Sequence, residues 1–260
     1  MIQRKQLLQI LTGMFLSPAA IAFSGFVPHQ TAQSYPEEFQ ISLNLPANPP
    51  YYGAPPRTVG LGVRGGDCVE TYPAKLKALI PTNNVWTTLS DRPNFFWYVP
   101  KTTAKTGEFV IFDKDDRIIY EKTLTLNSEN TATVIQETLP EDVSLVPGEI
   151  YIWQFSLICN RRRRSADIFI EGWVEQVNLE NREAELDELN TNLELAGQDS
   201  LKQAEAYINA GISNETVSLL AQMRCDRREE WQDLLSWMGL QELMTDSIAQ
   251  CELPEKDMMF

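Results

Sequence analysis

From residue 57 onward short apolar runs alternate with polar turns, and beyond residue 177 the apolar spacing lengthens to three and four residues. Seven runs have strand character: 74–80, 93–99, 108–113, 117–126, 131–137, 150–159 and 166–177. No helical period intervenes between them, which argues against a parallel α/β sheet and predicts an antiparallel β-sandwich of immunoglobulin/fibronectin type. In 150–159, Tyr151, Trp153, Phe155, Leu157 and Cys159 share one face, while Ile150, Ile152 and Ile158 share the other. Apolar side chains on both faces predict a central strand covered on two sides.

The next run returns after a polar tip and is asymmetric. Ile168, Ile170 and Val174 lie on one face, and Asp167, Phe169, Glu171, Trp173 and Glu175 on the other. Two aromatics among acids predict a joint on which the helical part packs, because exposed aromatic patches usually have partners. A docking surface for another molecule is the alternative.

Past residue 177, Leu186, Leu189 and Leu193 predict a helix over 180–195. Asp199 is placed to cap a second, with Leu201, Ala204 and Ile208 on one face and Gly211 ending it. Ser213 is placed to cap a third carrying Val217, Leu220 and Ala221. Asp226 and Glu229 resemble a capping box for a fourth, built on Trp231, Leu234, Leu235 and Met238 and stopped at Gly239. Leu240, Leu243, Met244 and Ile248 give a fifth. The bends at 210–212 and 238–240 lie 28 residues apart, short of the about 34 of a tetratricopeptide repeat, so the hairpins are tetratricopeptide-like only.

The fold class is therefore α+β, an N-terminal antiparallel β-sandwich over 57–177 followed by a small all-helical, tetratricopeptide-like domain over 178–253. Residues 254–260 form a tail. Residues 23–56, rich in Pro, Ser, Gln and Asn, read as an extended linker. Ahead of it, Arg4 and Lys5 precede an apolar stretch over 7–16, and Ala20 and Ala22 supply an A-x-A cleavage pattern, so 1–22 reads as a signal peptide. An uncleaved anchor is the alternative, weakened by Gln9, Thr12, Ser17, Pro18 and Ser24. The expected location is the periplasm or the cell exterior, with no membrane span in the mature chain.

Export changes the reading of the four cysteines, whose even number suggests two disulfides among three connectivities, with buried free thiols as the alternative. The helical pattern sets Cys225 and Cys251 at the same end of a hairpin, and Cys68 with Cys159 follows by elimination.

Charge narrows the partners. The formal net charge of the 260 residues is −14, and residues 175–260 hold 19 acidic and 6 basic side chains, so the acid belongs to the helical part. Such a balance disfavours nucleic acid and anionic membrane surfaces. The sole histidine, His29, falls in the linker, which excludes a Ser-His-Asp triad or a histidine metal site in the folded body.

Reactive constellations are few. Gly60, Gly62, Gly65 and Gly66 lack the helix and Lys-Ser or Lys-Thr of a phosphate-binding loop, so Arg64-Gly-Gly-Asp-Cys68 reads as a turn. Asp113-Lys-Asp-Asp116 lacks the spacing, Gly and terminal Glu of a calcium loop and reads as a hairpin turn. No catalytic, cofactor-binding or metal-ligating residue is assigned. Arg161, Arg162, Arg163 and Arg164 form the hairpin tip, which solvation favours and which could meet an anionic partner or a dibasic protease.

Several motifs resemble the cyanobacterial domain-of-unknown-function family 928. They are Arg64-Gly-Gly-Asp-Cys68, Pro93-Asn-Phe-Phe-Trp-Tyr-Val-Pro100, Tyr151-x-Trp-x-Phe-Ser-Leu-Ile-Cys159 and Ser165-Ala-Asp-x-Phe-x-Glu-Gly-Trp173. Ala206-Tyr-Ile-Asn-Ala-Gly211 and Leu234-Leu-Ser-Trp-Met-Gly-Leu240 continue the likeness. The resemblance spans roughly residues 57–253 and implies export and two domains, but no activity. The four-arginine tip departs from the shorter turn expected of that family.

The expected function is thus that of an exported, non-catalytic protein binding another envelope or exported protein, with Trp97, Arg161 to Arg164, Phe169 and Trp173 as the candidate surface. A carbohydrate-binding module stacking sugars on Phe96, Trp97, Tyr98 or Trp173 is the alternative. A hydrolase would have to work with carboxylates alone, and 36 Asp and Glu make any chosen pair uninformative.

Overall fold

The computed structural model describes residues 45, 68–69, 75–127, 132–179, 183–244 and 251. The signal peptide, His29, most of the linker, the turn at 64–67, the tail and Ile248 lie outside the described residues. The described part is α+β: two sheets of three and five strands, followed by four α-helices. All of it falls in one compact unit, Ile41–Phe260.

The strands are β1 (Lys77–Ala78), β2 (Val85–Thr88), β3 (Asn94–Val99), β4 (Thr106–Phe112), β5 (Ile118–Thr125), β6 (Thr133–Thr138), β7 (Ile150–Leu157) and β8 (Ile168–Gln176). The small sheet runs β1-β3-β6 and the large one β2-β8-β7-β4-β5. β2 is absent from the sequence expectation. Its four residues, Val-Trp-Thr-Thr, are buried throughout and show no alternation, and turns flank it closely. It joins β8 in parallel, whereas every other strand pair among the described residues is antiparallel.

The inner faces of both sheets contribute to one aromatic cluster. Trp97 stacks on Phe155 with ring centroids 4.5 Å apart, Trp86 meets Trp153 at 4.8 Å, and Phe95 meets Phe109 at 4.7 Å. Such pairs contribute about 0.5–1.5 kcal/mol each beyond their area burial. Trp97 has no accessible surface, so it belongs to the core and cannot serve as an interaction residue on the folded surface. Phe96 and Tyr98, the other β3 rings expected to offer sugar stacking, are buried as well.

β7 is central in the large sheet, as its pattern predicts, but its second face is only partly covered: Ile150 keeps 41% of its surface. Besides the short β2, the strand covered on two faces is β3, five of whose six residues are buried. The physical difference is that Gln154 and Ser156 interrupt the second face of β7, whereas Phe96 and Tyr98 fill that of β3.

On those two rings the helices pack. α1 (Glu183–Ala196), α2 (Ser200–Asn209), α3 (Ser213–Met223) and α4 (Arg228–Trp237) follow β8. Leu201, Ala204, Leu220, Trp231 and Leu234 form one apolar cluster with Leu79, Phe96 and Tyr98. The expectation that the helical joint forms on Phe169 and Trp173 is therefore corrected: neither belongs to this cluster. Asp199 does cap α2, accepting from the backbone N–H groups of Leu201 at 3.1 Å and Lys202 at 3.3 Å. Gly211 and Gly239, both at positive φ, end α2 and α4.

Ser213 does not cap α3; Ile212 holds that position without a side-chain bond. The Ser213 hydroxyl instead accepts from the Thr87 backbone N–H at 3.1 Å, on the edge of β2 that no strand covers among the described residues. Glu215 continues this cover, its Oε1 accepting from Thr88 Oγ1 at 2.8 Å, Leu89 N at 2.9 Å and Ser90 N at 3.2 Å. An edge strand exposes unpaired donors, and here a helix start satisfies them. The capping box expected of Asp226 and Glu229 is also absent, since α4 begins with Arg227 at the cap and no side-chain bond.

Cys68 pairs with Cys159 and Cys225 with Cys251, with Cα atoms 5.3 Å and 5.4 Å apart. Beyond Leu243, of the expected fifth helix only Met244 and Cys251 are described. Among the described residues no helix is long and apolar enough to cross a membrane.

Candidate interaction surface

The outer face of the large sheet is set by register. Trp173 on β8 lies opposite Ile152 on β7, Ile152 opposite Phe112 on β4, and Phe112 opposite Ile118 on β5. At about 4.8 Å between strands the four side chains form a row roughly 14 Å long. Trp173, Ile152 and Phe112 are partly buried, and Ile118 is 56% exposed. Ile150 adds apolar surface one row away. A register shift between Ile111 and Phe112 brings Ile118 into the row instead of Ile119, because a bulge skips one residue of the partner strand.

Acids flank this row. Glu171 and Glu175 stand two residues either side of Trp173 on β8, and Glu121 lies on β5 opposite Val110. Phe169, at the tip end of β8, is partly buried opposite Ser156 and so stands apart from the row. The sequence places Trp173 and Ile152 on outer faces, but Phe112 and Ile118 join them only through register, which a single chain does not display.

The arginine tip divides in two. Arg161, Arg162 and Arg163 are exposed on a turn closed by Asn160, whose carbonyl accepts from Arg163 N and whose Oδ1 accepts from Arg162 N, both at 2.9 Å. Arg164 is committed to the fold. Its Nη2 lies 2.6 Å from Glu108 Oε2, and its Nε donates to Asp167, whose other oxygen accepts from Cys159 N at 3.1 Å. Hydrogen bonds that the guanidinium donates to Glu108 and Asp167 hold its pKa above the usual arginine value. Arg164 thus anchors the tip beside the Cys68–Cys159 bridge and is not an available cation.

Asp113 closes the β4–β5 hairpin as a turn residue, its Oδ1 accepting from Asp115 N and Arg117 N at 2.9 Å each. Those backbone bonds lower its pKa. Tyr120 and Lys122 cross from β5 to Glu137 of β6, at 3.2 Å and 2.6 Å, tying the edges of the two sheets. Burial, reinforced by Glu137, pushes the Tyr120 hydroxyl up to about 12.

A family model described as Domain of Unknown Function (DUF928) matches residues 59–248. That span takes in both sheets and all four helices. No curated protein matches the chain.

Proposed function

We propose, from the premise that this chain belongs to the DUF928 family, that it is an exported, non-catalytic binding protein that docks another exported protein on the outer face of its large sheet. The observation that carries this reading is the row Trp173–Ile152–Phe112–Ile118, an apolar and aromatic strip on a protein of net charge −14. Interfaces draw their energy from such aromatic anchors inside a polar rim. With Glu121, Glu171 and Glu175 around the strip, the partner is a polypeptide surface of apolar side chains bordered by Lys and Arg. Export is supported by two cysteine pairs at disulfide separation, which persist in oxidising compartments. The same reading takes the two sheets as halves of a β-sandwich, supported by the ring contacts between them, and the helices as tetratricopeptide-like hairpins.

A photo-crosslinking amino acid at position 118, with a second at Leu195 on α1 as an exposed control, tests it in envelope extract. The expected result is a defined protein captured from position 118 alone, with Trp173→Ala weakening its purified complex by at least about tenfold, the scale of an anchor residue. Equal capture from both positions, or an unchanged complex in a folded Trp173→Ala protein, overturns it. Carbohydrate binding is the second reading, favoured only by Trp173, the one ring of the four named that is not buried. Glycan-array binding that disappears with Trp173→Ala would move the assignment there.

A further inference from the structure

Away from the sheet face, a cavity of about 210 Å³ lies where the segment entering β3 meets α2 and α3. Glu215 lines it, and while Oε1 is engaged by the end of β2, Oε2 is buried with no hydrogen-bond partner among the described residues. A carboxyl in that state favours its neutral form or a donor supplied from outside, since burial penalises the charge. Burial indeed pushes the Glu215 pKa up, and burial, with the Glu215 charge second, does the same to the hydroxyl of Tyr207 on the cavity wall.

The remaining wall mixes donors and acceptors with a larger share of carbon surface, and its one cation, Arg92, is paired with Asp91 at 3.7 Å. Gln203 gives its Nε2 to Gly197 O, and Asn214 gives its Nδ2 to Asn94 O, which leaves the carbonyl oxygen of each side-chain amide without a partner among the described residues. Pro93 and Leu219 add carbon surface. The volume is below the roughly 300–1,000 Å³ of drug-sized sites and suits one six-membered ring with its substituents. A cation would require the buried carboxylate in the form that burial disfavours; hydroxyl groups, which donate and accept, suit it in either form.

We propose that this cavity binds a small neutral polyhydroxylated molecule of about one sugar ring. Hydroxyls of the ligand donate to the Gln203 and Asn214 amide oxygens, and Tyr207 donates to it, while Glu215 backs the site from beneath the wall. The partner proposed for the sheet face plays no part in this site, so either reading can fail alone.

The disulfide-intact chain is titrated with glucose, galactose, N-acetylglucosamine and lysine, and backbone amide shifts are followed by NMR. At least one sugar is expected to give saturable shifts centred on Gln203, Tyr207 and Asn214 below about 10 mM, a decade weaker than a millimolar complex. Tyr207→Phe and Gln203→Ala, which leave the Glu215 contacts with β2 in place, each weaken binding by roughly tenfold, the loss of one hydrogen bond, at unchanged melting temperature. Oligosaccharides bearing the bound sugar at their end separate a free ligand from a glycan terminus. Absence of saturation by every sugar, preference for lysine, or unchanged affinity in both variants overturns the proposal.

Discussion

At the scale of single residues, Glu215 couples the edge of β2 to solution pH. Its Oε1 takes three donors from β2 and the residues beyond, yet burial outweighs them and raises its pKa above the ordinary 4.5. A carboxyl whose folded pKa is raised binds its proton more tightly in the folded state. The stabilisation is therefore full below pH 4.5 and is lost as pH rises through the folded value. Glu215→Gln keeps the acceptor oxygen and cannot ionise. Its melting temperature is expected to fall less than that of the wild type between pH 4.5 and neutrality; parallel curves would show that Glu215 is not the source.

At the scale of elements, the β7–β8 pair depends on the absence of one methyl group. Gly172 lies opposite Trp153, and a Cβ built there would stand 2.7 Å from Trp153 Cε2, closer than side chains tolerate. The indole also donates from Nε1 to Trp173 O at 3.2 Å, which fixes its direction. Gly172→Ala is expected to cost about 1–3 kcal/mol through overpacking, read as a lowered denaturation midpoint at constant slope. An unchanged midpoint would mean that the ring can turn aside.

The same pair marks how far the sequence could be read. β7 and β8 were legible because Tyr151, Trp153, Phe155 and Leu157 alternate with less apolar neighbours, as do Ile168, Ile170 and Val174, and alternation is local. The helices were legible through Leu201, Ala204 and Ile208 and through Trp231, Leu234 and Leu235 for the same reason. β2 was not, since Val-Trp-Thr-Thr has no alternation and owes its place to β8, roughly ninety residues away. Nor was the helical joint: Phe96 and Phe169 are equally apolar letters, and only the order of the sheets decides which meets the helices. Glu215 does not stand out among 36 acids because its partners at Thr88, Leu89 and Ser90 lie at and just beyond the end of β2, an element that the alternation does not show.

At the scale of the whole molecule, each cysteine pair closes its own stretch of chain. Cys68–Cys159 lies wholly before the arginine tip and Cys225–Cys251 wholly after it, at sequence separations of 91 and 26. In the chain-entropy model such loops stabilise by about 3–5 kcal/mol each. Neither bridge ties the two stretches to each other. They are joined by β8, seated between β7, with which it pairs from Ile168 to Glu175, and β2, with which it pairs from Trp173 to Gln176, and by the helices, which pack on Phe96 and Tyr98 and bond to β2 through Ser213 and Glu215.

The molecule is therefore built as if from two polypeptides, the second lending a strand to the sheet of the first across a short covalent tether. A viral-protease recognition sequence inserted between Arg162 and Arg163 and then cut should leave a two-chain complex. It is expected to elute as one species under native conditions and to separate into two fragments on a denaturing gel without reductant. Separation under native conditions would show that the tether, and not the lent strand, holds the halves together. Fragment complementation is thus written into this topology: the exposed arginine turn is a seam at which the chain can be opened without breaking either bridge or unpairing the strand lent to the first sheet.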